Sequence, residues 1–227
     1  MPKVFIGVGH GGTDSGAVAK DGSKEKDYNL SIAKACAAAL ERHGVQVRLS
    51  RTTDEADTVA QEIAECNSFA PDLAVDVHNN AGGGDGAEVF YSRIGGTGKK
   101  LAENILAHIT NLGQKSRGAK TRVNTSGADF YAFIRETRAP AVIVECAFLD
   151  SSDVELIDTE AERTEVGEAI ARGVLQTLGI AYKPATAAKL YRVQVGAFHN
   201  KANAEALVER LQEADFPAYI TTKYMEV

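Results

Sequence analysis

The run VFIGV (residues 4–8) is apolar at every position. A strand without a polar face has to be covered on both sides, and that requirement sets the architecture. The chain supplies the cover by alternating strand and helix patterns. DYNLSIAKACAAALERHG places Leu30, Ala33, Ala37 and Leu40 on one helical face, with Gly44 as its stop. VQVRLS (residues 45–50) reads as a second strand, a helix follows over 55–69 and is ended by Pro71, and LAVDVH (73–78) is a third strand. After the GGGDG loop (82–86), AEVFYS (87–92) is a fourth strand, and residues 97–112 form a helix with Leu101, Ile105, Ala107 and Ile109 on its apolar side. The polar, turn-rich stretch 112–127 reads as an exposed loop. FYAFI (130–134) and AVIVEC (141–146) are two more strands, and a last helical region spans 152–178. The alternation predicts an α/β fold: a mostly parallel twisted sheet of about six strands flanked by helices.

Beyond this unit the pattern changes. Residues 181–189 lose all periodicity and read as a linker between a first domain (1–180) and a tail (190–227). In the tail, residues 191–198 alternate as a strand, 203–213 read as a helix and 217–221 as another strand, which makes a small β-α-β unit. Composition excludes several classes of partner. The net charge of -6, with no stripe of Lys and Arg, argues against nucleic acid. No apolar run approaches the roughly 20 residues of a membrane span. The opening apolar run is too short for a signal-peptide core, so the chain is expected to be made in the cytoplasm without an export signal of its own. Cys36, Cys66 and Cys146 are odd in number and widely spaced, and read as small buried apolar residues rather than as disulfides or zinc thiolates.

Three strands deliver a metal-type or acidic side chain at their C-terminal ends: His10 past the first, His78 closing the third, and Glu145 near the end of AVIVEC. In a largely parallel sheet these ends share one rim, where ligand sites of open α/β folds form. Glu25, just ahead of the first helix, is a fourth candidate. Two imidazoles and a carboxylate suit a zinc ion that keeps one position open for water, whose pKa the ion lowers to about 7. A separate carboxylate then has to accept the water's proton and pass it to the leaving amine, and Glu145, among apolar neighbours, suits that task. Each residue also has a plainer reading. His10 fits a loop, Glu25 a solvated helix start within KEKD, His78 a turn or cap, and Glu145 an ion pair with Arg135 or Arg138. Asn79 and Asn80 are candidates for substrate contact or for a turn, and Asp14 for bonding backbone N–H groups of the His10 loop.

The segments GHGGTDSGA, KEKDYNL, LSRTTD, DVHNNA, GAEVFY and PAVIVECAFLD, in this order over residues 3–178, resemble the successive motifs of the zinc-dependent N-acetylmuramoyl-L-alanine amidases of the amidase-3 family. The resemblance implies a peptidoglycan hydrolase that cuts the amide between N-acetylmuramic acid and L-alanine of the stem peptide. It also implies zinc ligands at His10, Glu25 and His78 and a catalytic glutamate at Glu145. Where that family commonly shows EGFLSN, this chain has ECAFLD.

The tail, YRVQVGAFHNKANAEALVERLQEADFPAYI, resembles the first half of a SPOR domain, a module whose family binds glycan strands stripped of stem peptides. A half-module presents an unpaired strand edge, which implies a possible homodimer through strand pairing. Two other readings use the same residues: a zinc carboxypeptidase acting on wall peptides, and a catalytically silent wall-binding protein. Without an export signal, the amidase reading implies action at the cell wall after release, as an endolysin or a mother-cell lysis enzyme.

Overall fold

The computed structural model describes residues 1–184, 195–198 and 200–214, together with Phe216, Ala218 and Ile220. Strands β1 (Lys3–Val8), β2 (Gln46–Leu49), β3 (Leu73–Asn80), β4 (Ala87–Tyr91), β5 (Ser116–Lys120) and β6 (Ala141–Phe148) form one sheet in the order β2-β1-β3-β6-β4-β5. Every neighbouring pair is parallel except β4 with β6, which is antiparallel, so β4 and β5 run against the other four strands. The α/β class and the six strands match the sequence reading, with this reversed pair as the qualification.

The helices are α1 (Glu25–Arg42), α2 (Val59–Phe69), α3 (Gly96–Thr110), α4 (Ala132–Glu136) and α5 (Glu160–Leu178). They divide between the two faces as a strand apolar on both sides demands. On one face α1, α3 and α5 cover Val4, Ile6, Val75, Val77, Val142 and Val144. Ile32, Leu40, Leu101, Ile105 and Ile109 are fully buried there, each contributing roughly 1.5–3 kcal/mol. Helix α5 lies close to both neighbours because a Cβ at Gly167 would strike α1 at Ile32, and one at Gly173 would strike α3 at Ile105. On the other face α2 and α4 bury a smaller cluster with Phe5, Ala74, Phe90, Phe133 and Ile143. Cys36, Cys66 and Cys146 are all free and buried.

Several local expectations are corrected. FYAFI contributes to the short helix α4, because the Phe133 and Ile134 side chains turn together into the α2-side cluster instead of alternating. Part of the stretch read as a loop is β5, whose polar character reflects its place at the sheet edge and its partly exposed side chains. The second helix begins at Val59, not Glu55, since Thr58 and Gln61 form a reciprocal capping box. The last helical region is broken into a 3₁₀ turn (Ser152–Leu156) and α5, which opens on a second capping box at Thr159. Leu30 is only half-buried and Ala107 exposed, and Ala102 and Leu106 join the core of α3.

The contacts divide the chain into two units, Met1–Ala185 and Thr186–Val227. Within the first, residues 181–184 have no regular structure, yet Tyr182 stacks on His43 and the Lys183 N–H donates to His43 Nε2 at 2.7 Å. Within the second, helix α6 (Lys201–Glu213) is capped by Asn200, whose Oδ1 accepts from the Ala202 N–H. Of the expected strand over 191–198, residues 191–194 lie outside the described residues and 195–198 are not in a strand. Of the strand over 217–221, residues 217, 219 and 221 lie outside them, and Ala218 and Ile220 have no regular structure. Residues 185–189 of the expected linker are also outside.

Candidate metal centre

The connections from β1 to β2 and from β2 to β3 place β1 between them, so the strand order reverses between β1 and β3. Helices α1 and α2 leave on opposite faces, the arrangement in which open α/β sheets form ligand sites at the strand ends. His10 lies just past the end of β1 and His78 near the end of β3. Glu145 is the register neighbour of His78 on β6. By strand alternation Asp76, His78 and Glu145 project from the same face as Ala74 and Ile143. Glu25 is the first residue of α1, and it is 3 % exposed.

One ligand atom from each of His10, Glu25 and His78 lies within 4.8 Å of the others. His10 Nε2 is 3.2 Å from Glu25 Oε2, and His78 Nδ1 is 3.1 Å from Glu25 Oε1. Two ligands each about 2.0–2.2 Å from a tetrahedral ion stand roughly 3.4 Å apart, so the spacing fits a shared ion. The far side of each ring is held by an aspartate: Asp14 Oδ2 at 2.9 Å from His10 Nδ1, and Asp76 Oδ2 at 3.2 Å from His78 Nε2. Such carboxylates fix the ring orientation and tautomer of metal-binding histidines and raise their basicity. Nitrogen and carboxylate oxygen together match a borderline divalent ion such as zinc better than a hard one such as magnesium.

The backbone is shaped around this group. His10 itself has φ 65°, an uncommon left-handed conformation for a residue with a side chain. Gly9 is required because a Cβ there would overlap the His78 ring, and Gly16 because one there would meet Glu25 and His10. Behind them, the fully buried Arg51 donates to the carbonyls of Val8, Gly9, Lys26 and Thr53, tying the ends of β1 and β2 to the start of α1. Asn29 donates to Gly9 O at 2.9 Å, and Lys26 Nζ donates to Gly12 O and Asp54 Oδ2.

The two glutamates have opposite surroundings. Glu25 accepts from the backbone N–H of Ala17 at 2.9 Å and of Asn79 at 3.1 Å. Burial disfavours its charge, but hydrogen bonds from His10 and His78 outweigh that and hold the carboxyl well below the usual range. Glu145 Oε2 is buried and has no hydrogen-bond partner among the described residues. Burial pushes Glu145 up to about 7, against the pull of His78 and with the charges of Glu25, Glu88 and Asp76 adding to the rise.

The plainer readings fare differently. Arg135 bonds the carbonyls of Asp129 and Phe130 and the Glu136 carboxylate, and among the described residues Glu145 has no ion-pair partner. Asp14 Oδ1 accepts from the Gly16 N–H, as expected, and its second oxygen takes His10. Asn79, read as a substrate contact or a turn residue, lies in β3, is buried, and bonds Asn29 and Glu25. Asn80 donates to Glu88. The supporting residues Asp76, Arg51 and Asn29 were not singled out, because single polar residues in strands, loops and helices carry no spacing signal. Only Asp76, two residues before His78 in VDVH, had a position on the same strand face that pointed to the site.

The fold thus brings a His-Glu-His cluster with the spacing of a metal-ligand set to a switch point, with the unpartnered Oε2 of Glu145 on the neighbouring strand. Residues 4–176 match the N-acetylmuramoyl-L-alanine amidase (amidase-3) family, and residues 187–226 match the SPOR domain. The chain belongs to the N-acetylmuramoyl-L-alanine amidase family. It is 34% identical to the N-acetylmuramoyl-L-alanine amidase CwlM of Bacillus licheniformis, over 97% of this chain and 85% of that protein. It is 32% identical to the sporulation-specific N-acetylmuramoyl-L-alanine amidase of Bacillus subtilis, over 98% and 86%. Among solved structures, the amidase AmiC2 of Nostoc punctiforme superposes with a TM-score of 0.72 at 30% identity, over 78% of this chain and 97% of that one. Among the described residues no helix is long and apolar enough to cross a membrane.

Proposed function

We propose that this chain is a zinc-dependent hydrolase of peptidoglycan that cuts the amide between the lactyl group of N-acetylmuramic acid and L-alanine. Family membership supports the amidase reaction on the cell wall. The observation that carries the metal is the convergence of His10, Glu25 and His78 next to the unpartnered Glu145. His10, Glu25 and His78 hold the ion, with Asp14 and Asp76 setting the two rings. When bound, zinc supplies Lewis acidity to the scissile carbonyl and to the attacking water.

Glu145 handles the proton. Its free Oε2 accepts a proton from the water as the C–O bond forms, then donates it to the alanine nitrogen as the C–N bond breaks. A carboxyl with raised proton affinity suits both halves of that transfer, since it has to take the proton and give it up again. Among the described residues no other group competes for Oε2.

We assign residues 1–180 as the catalytic domain, 181–189 as the connection and 190–227 as a SPOR-type module that engages glycan strands and can pair with a second copy. We place its action at the cell wall, in sporulation or in lysis. The test is digestion of purified peptidoglycan. Free L-alanine amino termini should appear without new reducing sugar ends, a chelator should abolish their release, and added zinc should restore it. Release of terminal D-alanine instead would replace this reading with a carboxypeptidase.

A further inference from the structure

Glu145 shares its end of the sheet with a second charged cluster. Across the antiparallel β4–β6 ladder it faces Glu88, so both side chains leave the same face. Cα atoms of such opposed residues stand about 4.5–5.5 Å apart. Glu88 is buried, and its Oε2 accepts from Arg117 Nε at 2.9 Å and from Lys120 Nζ at 2.5 Å. Its Oε1 accepts from Asn80 Nδ2 at 3.1 Å. Both cations come from β5, and each keeps 36% of its side chain exposed. Two cations on one carboxylate leave one positive charge over in this cluster.

The arginine is held in a way that leaves its recognition end free. Its Nε is on Glu88, its guanidinium stacks 4.8 Å from the Phe148 ring centre, and among the described residues neither Nη has a hydrogen-bond partner. A guanidinium fixed by Nε and by stacking presents two parallel N–H groups in a fork that matches a carboxylate. Neutralising Glu88 needs one cation, so that task does not account for both Arg117 and Lys120.

On the reading of function above, we propose that Arg117, supported by Lys120, binds a carboxylate of the wall peptide on the leaving side of the scissile amide. The lactyl carboxyl of the sugar is consumed in that amide, so free carboxylates near the bond belong to the peptide. Arg117 is therefore a specificity-determining residue, distinct from the proton-handling Glu145 and from the metal donors.

The test uses the full zinc-loaded chain and two soluble muramoyl-L-alanyl peptides, alike except that the residue after L-alanine carries a free or an amidated carboxyl. Arg117→Gln is expected to raise KM about tenfold on the free acid with little change in kcat, and to leave the amidated peptide unaffected. Lys120→Gln should act in the same direction and less. Equal losses on both peptides, or none on either, would overturn the subsite. A second arm needs no variant and no turnover: the corresponding L-alanyl product peptides are titrated against the wild-type chain, and the free acid should bind about tenfold more tightly than the amide. Equal binding also overturns the subsite. Wild type that selects the free acid in this arm yet releases no L-alanine amino termini overturns the amidase reading and leaves the subsite standing.

Discussion

Glu25 and Glu145 lie at the same edge of one sheet, and both are pressed by burial, yet the chain treats them in opposite ways. Glu25 is surrounded by donors: two backbone N–H groups and two imidazoles. Glu145 has negative neighbours and, at Oε2, no donor. The first is locked as an anion and suits permanent ligation. The second is held where gaining and losing a proton are both accessible. Environments that push two carboxyls apart in this way separate a charge-bearing role from a proton-transferring one.

The largest effect tests the second half of that contrast. Glu145→Gln keeps the shape and removes the proton acceptor, and hydrolysis should fall by about 10³-fold, the middle of the range for general acid-base catalysis. Zinc content should stay at wild-type level. Because the change removes a buried charge beside Glu25, Glu88 and Asp76, unfolding should be unchanged or shifted upward by about 0.5 kcal/mol. Wall clearance by the variant at the wild-type rate would remove Glu145 from the mechanism.

Glu25→Gln sets the opposite sign. The amide NH₂ would face the Ala17 or Asn79 N–H, donor against donor, and the His contacts would lose their anion. Chemical unfolding in the presence of chelator should show a loss of about 3 kcal/mol, and zinc binding should fail. If the two glutamine variants shifted stability in the same direction, the contrast between the carboxyls would not hold.

These environments were only partly legible in the sequence. The apolar runs and the alternation gave the α/β class, because covering a strand on both faces leaves few architectures. His10, His78 and Glu145 declared themselves by position, since a strand's end is readable from its apolar run. Their convergence with Glu25 needed the family motifs, because no spacing rule links a helix start to a rim built from three other strands. The hidden part was what holds each group. Asp76 and Arg51 act through contacts that span up to 43 positions of sequence in the case of Arg51 with Val8. Strand β5 was missed because an edge strand with partly exposed side chains lacks the apolar signal that marks a buried one. FYAFI was misread because five apolar residues satisfy a strand and a short helix equally well.

A third carboxylate sharpens what charge itself contributes. Asp150 Oδ2 accepts from the N–H groups of Gly82 and Gly83 at 2.9 and 2.7 Å, fastening the loop that follows β3. Those two bonds hold its carboxyl below the usual value of 3.8. A depressed folded value means that its stabilisation is present above the ordinary aspartate range and is lost as pH falls through it. The role needs an acceptor, which an asparagine oxygen also provides. Asp150→Asn should therefore keep activity within about twofold and the thermal midpoint at pH 7 within about 2 °C, the scale of a substitution that breaks no buried network. What it should remove is this residue's share of the stability lost below about pH 4, read by comparing acid unfolding of the two chains. A large loss of activity in the asparagine variant would mean that this loop, like Glu25, depends on a negative charge.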